Sequence, residues 1–451
     1  KGHRISVLDF RVCTKSEIEN FLNSKIDIYG ISVCSFTIND ALKLINMIGK
    51  EKSHRIILGG PHVSIADKGI LNNKCIDYAI RGEGEFSFPA LIDLIQRGDE
   101  KSSALHEIPG LIYRENGNVK INENKFISEP DDLPYPDYSG FSMDRYNSYP
   151  IITSRGCPFK CEYCASHIIW GRKWRARTPE NIVGEIDYLI KEWGRKEFII
   201  CDDTFNLDID RAISFCNLLI QQNKAIKWDC WGIRADKVSG ELIDVMRRAG
   251  CIGITIGIES SNPKVLKNIN KGETIHQIKD GIKIIKRNGV RLGGSFMIGN
   301  KGDTLDSVKE TVRFARRSGL DGFGFYHAAP YPKTKLLDYV EKNGKYLTNK
   351  DYTHYSHFED SPIFETPDFT AEERIVAWKF ARRTIAFKRI MMGIKNQKLE
   401  LQHRGLFNYL INLSEILPRI LRTAFSILFP KKKAFSLSWD DNDTSSEKNC
   451  S

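Results

Sequence analysis

Six short apolar runs alternate with segments of helical pattern between residues 151 and 327, and this alternation constrains the fold more than any other feature. The predicted strands lie at 151–154, 197–201, 227–232, 252–258, 291–298 and 322–327. Strands that alternate with helices pair in parallel, and the helices pack outside the sheet. Six such units amount to about three quarters of an eight-stranded α/β barrel.

Polar and reactive residues follow these strands, at the edge where parallel α/β folds carry out their chemistry. The second strand is followed by Asp202, Asp203 and Thr204, and the third by Arg234 and Asp236. The fourth strand is followed by Glu259 and Ser260, the fifth by Gly299, Asn300 and Gly302, and the sixth by His327 and Tyr331. Asp208 and Asp303 precede predicted helices, and we expect both to be helix caps. The loop after the first strand is the densest motif, because it carries three cysteines.

Cys157, Cys161 and Cys164 form a C-x3-C-x2-C pattern on that loop. Three thiolates can ligate three irons of a 4Fe–4S cluster, and an open position on a metal is usually a place for chemistry. A Cys3His zinc site that includes His167 is the alternative, although structural zinc usually takes its ligands from paired motifs. The 11 cysteines among 451 residues do not make a disulfide framework. We therefore expect a reducing compartment, that is, the cytoplasm.

The three-cysteine loop after the first strand resembles that of the radical S-adenosylmethionine (SAM) superfamily, which uses an open, partial barrel. The resemblance implies that Cys157, Cys161 and Cys164 ligate a 4Fe–4S cluster and that SAM chelates the open iron. It also implies that the reduced cluster cleaves SAM to methionine and a 5′-deoxyadenosyl radical. That radical would abstract a hydrogen atom from an unactivated carbon.

The same resemblance implies a set of SAM contacts near the strand ends. Asp202 and Asp203 stand where the family often has a Gly-Gly-Glu-like segment, as in the cobalamin-associated branch. Residues 257–260 resemble the family's strand-four motif, and residues 294–299 resemble its strand-five motif near the adenine. The implied SAM-binding residues are Tyr163, Asp202, Asp203, Glu259, Ser260 and Gly299. The sequence assigns no catalytic residue.

Residues 1–98 show a second alternating pattern, with predicted strands at 5–10, 28–34, 55–58 and 78–81. This pattern predicts a doubly wound, Rossmann-like domain with ligand loops at its strand ends. Glycines in such loops let the backbone approach a planar or phosphorylated ligand closely. Because the chain opens on Lys1 directly before the first run, we expect the domain to lack its first strand.

Three loops of this domain, at 32–37, 59–62 and 82–85, resemble those of the cobalamin-binding domain that many radical SAM proteins carry. The implied cobalamin-binding residues are Ser35, Thr37, Gly59, Gly60, Pro61, His62, Gly82, Glu83 and Gly84. The Asp-x-His-x-x-Gly motif that supplies a lower histidine ligand to cobalt is absent from the sequence. His62 lies in a different motif, and many members of the branch lack that ligand.

The predicted fold class is therefore α/β. The predicted domains are a cobalamin-binding-like domain at 1–105, a hairpin and linker at 106–148, a partial (β/α)6 barrel at 149–337, a helical region at 338–437 and a disordered tail at 438–451. The net charge of +10 is dispersed along the chain, so we expect no nucleic-acid partner. The amphipathic stretch within 406–433 carries charges and is no membrane span. It either packs on protein or lies on an anionic membrane surface, which would make a cytoplasmic protein membrane-peripheral.

Residues 257–260, the Tyr-Pro turn at 331–332 and the apolar C-terminal stretch resemble the branch that contains anaerobic magnesium-protoporphyrin cyclase and hopanoid-modifying proteins. We expect methylation, or a radical oxidation or cyclisation, of an unactivated carbon in a small hydrophobic metabolite. The electron donor would be a flavodoxin or a ferredoxin. Two alternatives stay open: an iron–sulfur electron-transfer or sensor protein that does not cleave SAM, and a radical SAM enzyme that uses no cobalamin.

Overall fold

The computed structural model describes residues 2–50, 53–66, 69–146, 148–349, 352–355 and 360–404. These residues form two compact units. The first contains the described residues of 1–158 and 165–228, and the second contains those of 159–164 and 229–404.

A five-stranded sheet opens the first unit. Its strands, in hydrogen-bonded order, are β1 (Ile28–Ser32), β2 (Arg55–Gly59), β3 (Tyr78–Ile80), β4 (Leu111–Glu115) and β5 (Asn118–Ile121). The first three strands are parallel, and β4 and β5 form an antiparallel hairpin that pairs with β3. The predicted hairpin is present, and it extends the sheet.

Helices lie before and between these strands. They are α1 (Lys15–Leu22), α2 (Ile38–Ile48), α3 (Pro61–Ile65), α4 (Gly84–Arg97) and α5 (Ser102–His106). A capping box between Thr14 and Glu17 starts α1. The strand predicted at 5–10 is wrong, because these residues pair with no strand in the described part of the chain. A strand needs a partner for its backbone groups, and Ile5 is instead 77% exposed.

The rest of the first unit leads into and out of the cysteine loop. Its elements are β6 (Tyr149–Ile151), β7 (Ser154–Arg155), α6 (Ser166–Ile169), β8 (Arg175–Ala176), α7 (Pro179–Trp193), β9 (Glu197–Cys201) and α8 (Ile209–Gln221). Strands β6 and β9 are parallel, whereas β7 and β8 form a short antiparallel pair at the base of the loop. Thr178 caps α7, with proline in its first turn. Asp208 caps α8, as predicted.

The second unit continues the alternation of strands and helices. Its elements are α9 (Gly240–Arg248), β11 (Cys251–Glu259), α10 (Pro263–Asn268), α11 (Ile275–Arg287), β12 (Arg291–Ile298), α12 (Leu305–Arg317) and β13 (Gly322–His327). Strand β10 (Lys227–Ile233) carries residues of both units. The six-stranded sheet has the order β13-β12-β11-β10-β9-β6, which confirms the predicted α/β fold with a six-stranded partial barrel.

Small elements and one long helix end the described chain. They are α13 (Lys335–Asn343), the antiparallel strands β14 (Lys345–Tyr346) and β15 (Phe364–Glu365), and α14 (Ala371–Arg404). Among the described residues, no helix is both long and apolar enough to cross a bilayer. The amphipathic stretch at 406–433 and the tail at 438–451 lie outside the described residues.

Candidate functional site

The cysteine loop is closed at its base within the first unit. Arg155 of β7 and Arg175 of β8 are register partners. Gly156 has a φ of 86°, and a Cβ there would overlap the Lys173 carbonyl oxygen, so only glycine fits this position. The Cys157 amide donates to the Gly171 carbonyl across 3.3 Å. The β7–β8 pair therefore forms a fixed neck, at which the cysteine loop begins and ends.

The Glu83 carboxylate lies at this neck, although the sequence places it in a cobalamin loop. It accepts hydrogen bonds from Arg155 Nη1 at 3.0 Å, from Arg175 Nη1 at 2.8 and 2.9 Å, and from the Ile127 amide at 2.6 Å. Arg155 also contacts Glu85. The Glu83 side chain has no exposed surface. A cobalamin contact by this residue stays a prediction, and it would involve the backbone of the turn.

Two predicted SAM contacts of the first unit, Asp202 and Asp203, are already hydrogen-bonded to protein. Asp202 accepts from the Thr153 amide at 2.6 Å, from the Thr153 hydroxyl at 2.5 Å and from the Ser154 hydroxyl at 2.6 Å. Burial raises its pKa, and these three hydrogen bonds act in the opposite direction. Asp203 contacts the Ser166 hydroxyl at the start of α6. Asp202 thus anchors the segment before the cysteines, and a role for either carboxylate at SAM stays a prediction.

In the second unit, residues 159–164 of the loop are fastened to the turn that precedes α11. The Glu162 amide donates to the Ile269 carbonyl at 2.9 Å, and the Cys161 thiol lies 3.9 Å from the Lys271 carbonyl oxygen. The Arg234 guanidinium lies 3.6 Å from the centre of the Phe159 ring, a cation–π contact. The turn thereby supports the loop that carries Cys161 and Cys164.

A buried charged cluster lies next to these cysteines. The Tyr163 hydroxyl donates to Glu259 Oε1 at 3.0 Å, and Lys271 Nζ lies 3.2 Å from the same oxygen and 3.5 Å from Glu273 Oε2. Burial acts to lower the pKa of Lys271, but Glu259 and Glu273 raise it above its ordinary value. Burial also raises the pKa of Tyr163. In this charged cluster the Lys271 ammonium and the Tyr163 phenol therefore stay protonated.

Glu259 has an unusual backbone conformation at the end of β11. Its φ of 65° lies in the left-handed region, and the β11–β12 register shifts between Gly257 and Glu259. Such a conformation costs about 1–3 kcal/mol for a residue other than glycine, and it occurs preferentially at functional sites. Ser260 bonds to the Thr311 hydroxyl at 3.2 Å and accepts from the Asn262 amide. A SAM contact by either residue stays a prediction.

Gly299 follows β12 at a crowded position. A Cβ on it would overlap the guanidinium of Arg374, which is itself buried against Phe364 and Phe369. Packing alone therefore requires glycine here, and a contact with SAM stays a prediction. Asp303 accepts from the Gly299 and Asn300 amides, while Thr304 caps the following helix. The prediction that Asp303 is the helix cap is wrong, because its carboxylate binds the preceding loop.

The predicted cobalamin residues lie at the carboxyl ends of β1, β2 and β3. Gly60 has a φ of 93°, and a Cβ there would come within 2.8 Å of the Val33 backbone. His62 is buried in α3 after Pro61, its Nδ1 lies 3.1 Å from the Ser35 hydroxyl, and burial lowers its pKa to about 4. The Thr37 hydroxyl bonds the Cys34 backbone.

The donor set of the loop fits an iron–sulfur cluster. Cys157, Cys161 and Cys164 are all half-buried thiols, and thiolates are the usual ligands of such clusters. In the described parts of the chain, no three histidine, cysteine or carboxylate side chains already form a metal-binding group. The Cys157 thiol lies 3.5 Å from the Thr204 hydroxyl. The assignment of the three cysteines therefore stays a prediction from the motif.

The strand-end loops of the five-stranded sheet fit a large ligand. A Cβ added to Gly84 would meet no atom within 4 Å, and one added to Gly59 would meet only the Ile80 carbonyl, at 3.8 Å. Gly82 has a φ of 77° and lies against Asn124. Open space above Gly59 and Gly84 lets a ligand approach the backbone there.

Sequence reasoning missed Lys271 and Glu273, and it did not connect Glu83 with Arg155 and Arg175. Glu273 also accepts from the backbone amides of residues 235 and 236. The usable signal was the Asn-Lys-Gly-Glu run at 270–273, which is typical of a turn and carries opposite charges.

Two family models match this chain. Residues 151–315 match the Radical SAM superfamily, and residues 1–92 match the B12 binding domain. An uncharacterized methyltransferase of Pyrococcus horikoshii is 34% identical over 77% of this chain and 76% of its own length. An anaerobic magnesium-protoporphyrin IX monomethyl ester cyclase of Rubrivivax gelatinosus is 28% identical over 62% of this chain, which spans only 52% of the cyclase.

Solved structures share the fold at low sequence identity. The radical SAM methyltransferase TsrM from Kitasatospora setae, with cobalamin and a 4Fe–4S cluster bound, matches 94% of this chain and 93% of its own, with a TM-score of 0.70 and 16% identity. The cobalamin-dependent radical SAM enzyme OxsB, with aqua-cobalamin and SAM bound, matches 91% of this chain and 65% of its own, with a TM-score of 0.59 and 20% identity.

Proposed function

Because the chain belongs to the radical SAM superfamily and carries a B12-binding domain, we propose that it methylates an unactivated carbon of a hydrophobic small molecule. It is an enzyme of this superfamily, and its cofactors are a 4Fe–4S cluster, SAM and cobalamin. One observation carries the proposal: the same chain contains the three-cysteine loop and, before it, the glycine-containing loops at the strand ends of the five-stranded sheet. Similarity to the P. horikoshii methyltransferase favours methyl transfer.

The residues of the chain would bind and orient these cofactors. Held by Cys157, Cys161 and Cys164, the iron–sulfur cluster would supply the electron that cleaves one SAM. Cobalamin would transfer to the substrate a methyl group taken from a second SAM, which leaves S-adenosylhomocysteine. The buried side chains of Tyr163, Glu259 and Lys271 would keep the phenol and the ammonium protonated. They would also exclude water from the adjacent cysteine loop.

Small and large residues share one face of β11, β12 and β13. Two neighbouring pairs on this face are Thr255 with Gly293 and Ser295 with Gly324. Met297 pairs with Tyr326 nearer the carboxyl ends. A Cβ on Gly324 would come within 2.7 Å of the Tyr326 hydroxyl, so this tyrosine covers part of the face. Apolar and aromatic side chains at this face support a hydrophobic substrate.

Product analysis tests this function directly. After anaerobic reconstitution and reduction with dithionite, the enzyme should form both 5′-deoxyadenosine and S-adenosylhomocysteine from SAM. The Cys161→Ala variant should lose both products together with most of its cluster iron, whereas Cys13→Ala, which changes a half-buried cysteine outside the motif, should keep them. Absence of both products from a fully loaded wild-type protein would contradict the proposal.

A second candidate is radical oxidation or cyclisation, which similarity to the R. gelatinosus cyclase favours. That reaction would give 5′-deoxyadenosine without S-adenosylhomocysteine. An enzyme that uses no cobalamin would show no change in visible absorption with hydroxocobalamin. A protein that binds SAM without cleaving it would change only the electron paramagnetic resonance (EPR) spectrum of its reduced cluster. A reduced flavodoxin or ferredoxin should replace dithionite as the electron donor.

A further inference from the structure

The Glu83 carboxylate, in one of the predicted cobalamin loops, binds both strands at the base of the cysteine loop. Glu83 is part of the 82–84 turn at the carboxyl end of β3, and its oxygens accept from Arg155 and Arg175. These two arginines are register partners in the β7–β8 pair. Arg155 stands two positions before Cys157. A single buried side chain therefore connects the turn with the neck of the loop.

The two arginines are fixed on their other sides as well. The Arg155 guanidinium lies 5.1 Å from the centre of the Trp170 ring, and that of Arg175 lies 5.2 Å from the Phe126 ring. Arg175 Nη2 also donates to the Trp170 carbonyl at 2.7 Å. With such restricted positions, a shift of the 82–84 turn must either move the arginines or break a buried ion pair, which is strongly unfavourable.

We propose that Glu83 is a positioning residue that couples the two cofactor loops. Cobalamin bound over the 82–84 turn would hold Glu83, and Glu83 would hold Arg155 and Arg175 in the arrangement that fixes the cysteine loop for SAM. Each cofactor then binds more tightly in the presence of the other, and by thermodynamic linkage the factor is the same in both directions. This inference rests on the proposed function, because it requires both cofactors.

The coupling is measured as the affinity for SAM with and without hydroxocobalamin, read from the SAM-induced change in the EPR spectrum of the reduced cluster. In the wild type we expect cobalamin to tighten SAM binding at least about fivefold. In Glu83→Gln, which keeps the shape and removes the charge, the factor should fall close to one. The reciprocal titration, with hydroxocobalamin followed by visible absorption, should give the same factor.

Glu100→Gln is the control, because it removes an ion pair that is less buried than that of Glu83 from the opposite edge of the same sheet. Glu100 binds Arg55, the first residue of β2, across 2.8 and 3.0 Å and accepts from the Tyr78 hydroxyl. If Glu83 acted only through general stability, each variant would lower the coupling in proportion to the stability that it loses in urea unfolding. We expect Glu100→Gln to unfold more easily and to keep the wild-type coupling factor.

Each outcome decides the proposal. If Glu83→Gln does not fold, Arg155→Gln replaces it, since this variant keeps the pair between Glu83 and Arg175, and it should reduce the coupling. An unchanged factor in either variant, a loss of coupling in Glu100→Gln in proportion to its lost stability, or a wild type that binds both cofactors without coupling would overturn the role of Glu83. A wild type that binds neither cofactor would instead refute the proposed function.

Discussion

The Tyr163 hydroxyl donates a hydrogen bond to the Glu259 carboxylate across 3.0 Å, so a residue between two motif cysteines contacts the end of strand β11. Glu259 Oε1 also binds Lys271 Nζ. Its left-handed backbone aims the carboxylate back over Gly257, where a Cβ would come within 2.7 Å of Glu259 Oε1. The contact therefore depends on a strained residue and on a glycine two positions before it.

Tyr163→Phe should weaken SAM binding without preventing cluster assembly. A hydrogen bond to a charged group contributes about 1.5–3 kcal/mol, so we expect SAM affinity to fall about tenfold. The measurement is an EPR titration of the reduced cluster with SAM. Tyr339→Phe is the control, since the Tyr339 ring lies 5.7 Å from Lys301 Nζ and a phenylalanine ring keeps that contact. Equal SAM affinities in the two variants would refute a role for the Tyr163 hydroxyl.

Lys271→Met should destabilise the protein by about 3–5 kcal/mol, because it leaves Glu259 and Glu273 buried without their shared cation. Urea unfolding of the cofactor-free protein measures this loss. Adding Glu259→Gln to Lys271→Met should restore part of the stability, since one unpaired buried charge is then removed. A double variant no more stable than Lys271→Met would show that the carboxylate is not the source of the loss.

The sequence predicted regular structure well where local pattern decides it. The predicted bounds of β9, β12 and β13 agree with the structure residue by residue, because a short apolar run marks each strand. Between β11 and β12 the chain forms two helices, α10 and α11, and Asn270 and Gly272 adopt positive φ values between them. That turn is what places Lys271 beside Glu259. Sequence reasoning missed it because the pairing depends on contacts distant along the chain.

The cobalamin loop shows the same limit at Glu83. Its Gly-Glu-Gly sequence resembles a ligand loop, and local sequence says nothing of Arg155 or Arg175. Only tertiary structure reveals that two arginines more than 70 positions away use both oxygens of the carboxylate. Backbone features of the predicted cobalamin loops, such as the glycine at position 60, could be predicted from the sequence because the conformational freedom of glycine is a local property.

Gly60→Ala should destabilise the N-terminal sheet and lower its affinity for hydroxocobalamin. The backbone of Gly60, with φ 93° and ψ −178°, costs about 1–3 kcal/mol for a residue other than glycine, and the overlap of the alanine Cβ with the Val33 backbone adds about 1–3 kcal/mol. Gly98→Ala is the control for an uncrowded left-handed glycine, because Gly98 has φ 65° and ψ 22° and its Cβ would meet no atom within 4 Å. Urea unfolding should therefore separate the two variants. Equal losses would mean that neither the backbone of residue 60 nor its contact with Val33 costs more than an ordinary left-handed turn.

His62 should make the protein less stable as the pH falls from about 6.5 to about 4. Burial lowers the pKa of His62 from 6.5 to about 4 in the folded protein. In that interval the unfolded chain binds a proton that the folded protein does not, so protonation favours unfolding. The full shift corresponds to about 3 kcal/mol. The measurement is urea unfolding of the wild type and of His62→Asn, whose amide can still bond the Ser35 hydroxyl, at pH 7, 5.5 and 4.5.

The difference between the two proteins isolates this residue from other histidines. Burial also lowers the pKa of His327 to about 4, but His327 is present in both proteins and its contribution cancels. The wild type should therefore lose stability relative to His62→Asn as the pH falls, while their difference at pH 7 reflects packing alone. A difference that stays constant from pH 7 to 4.5 would mean that the folded protein protonates His62 as readily as the unfolded chain does.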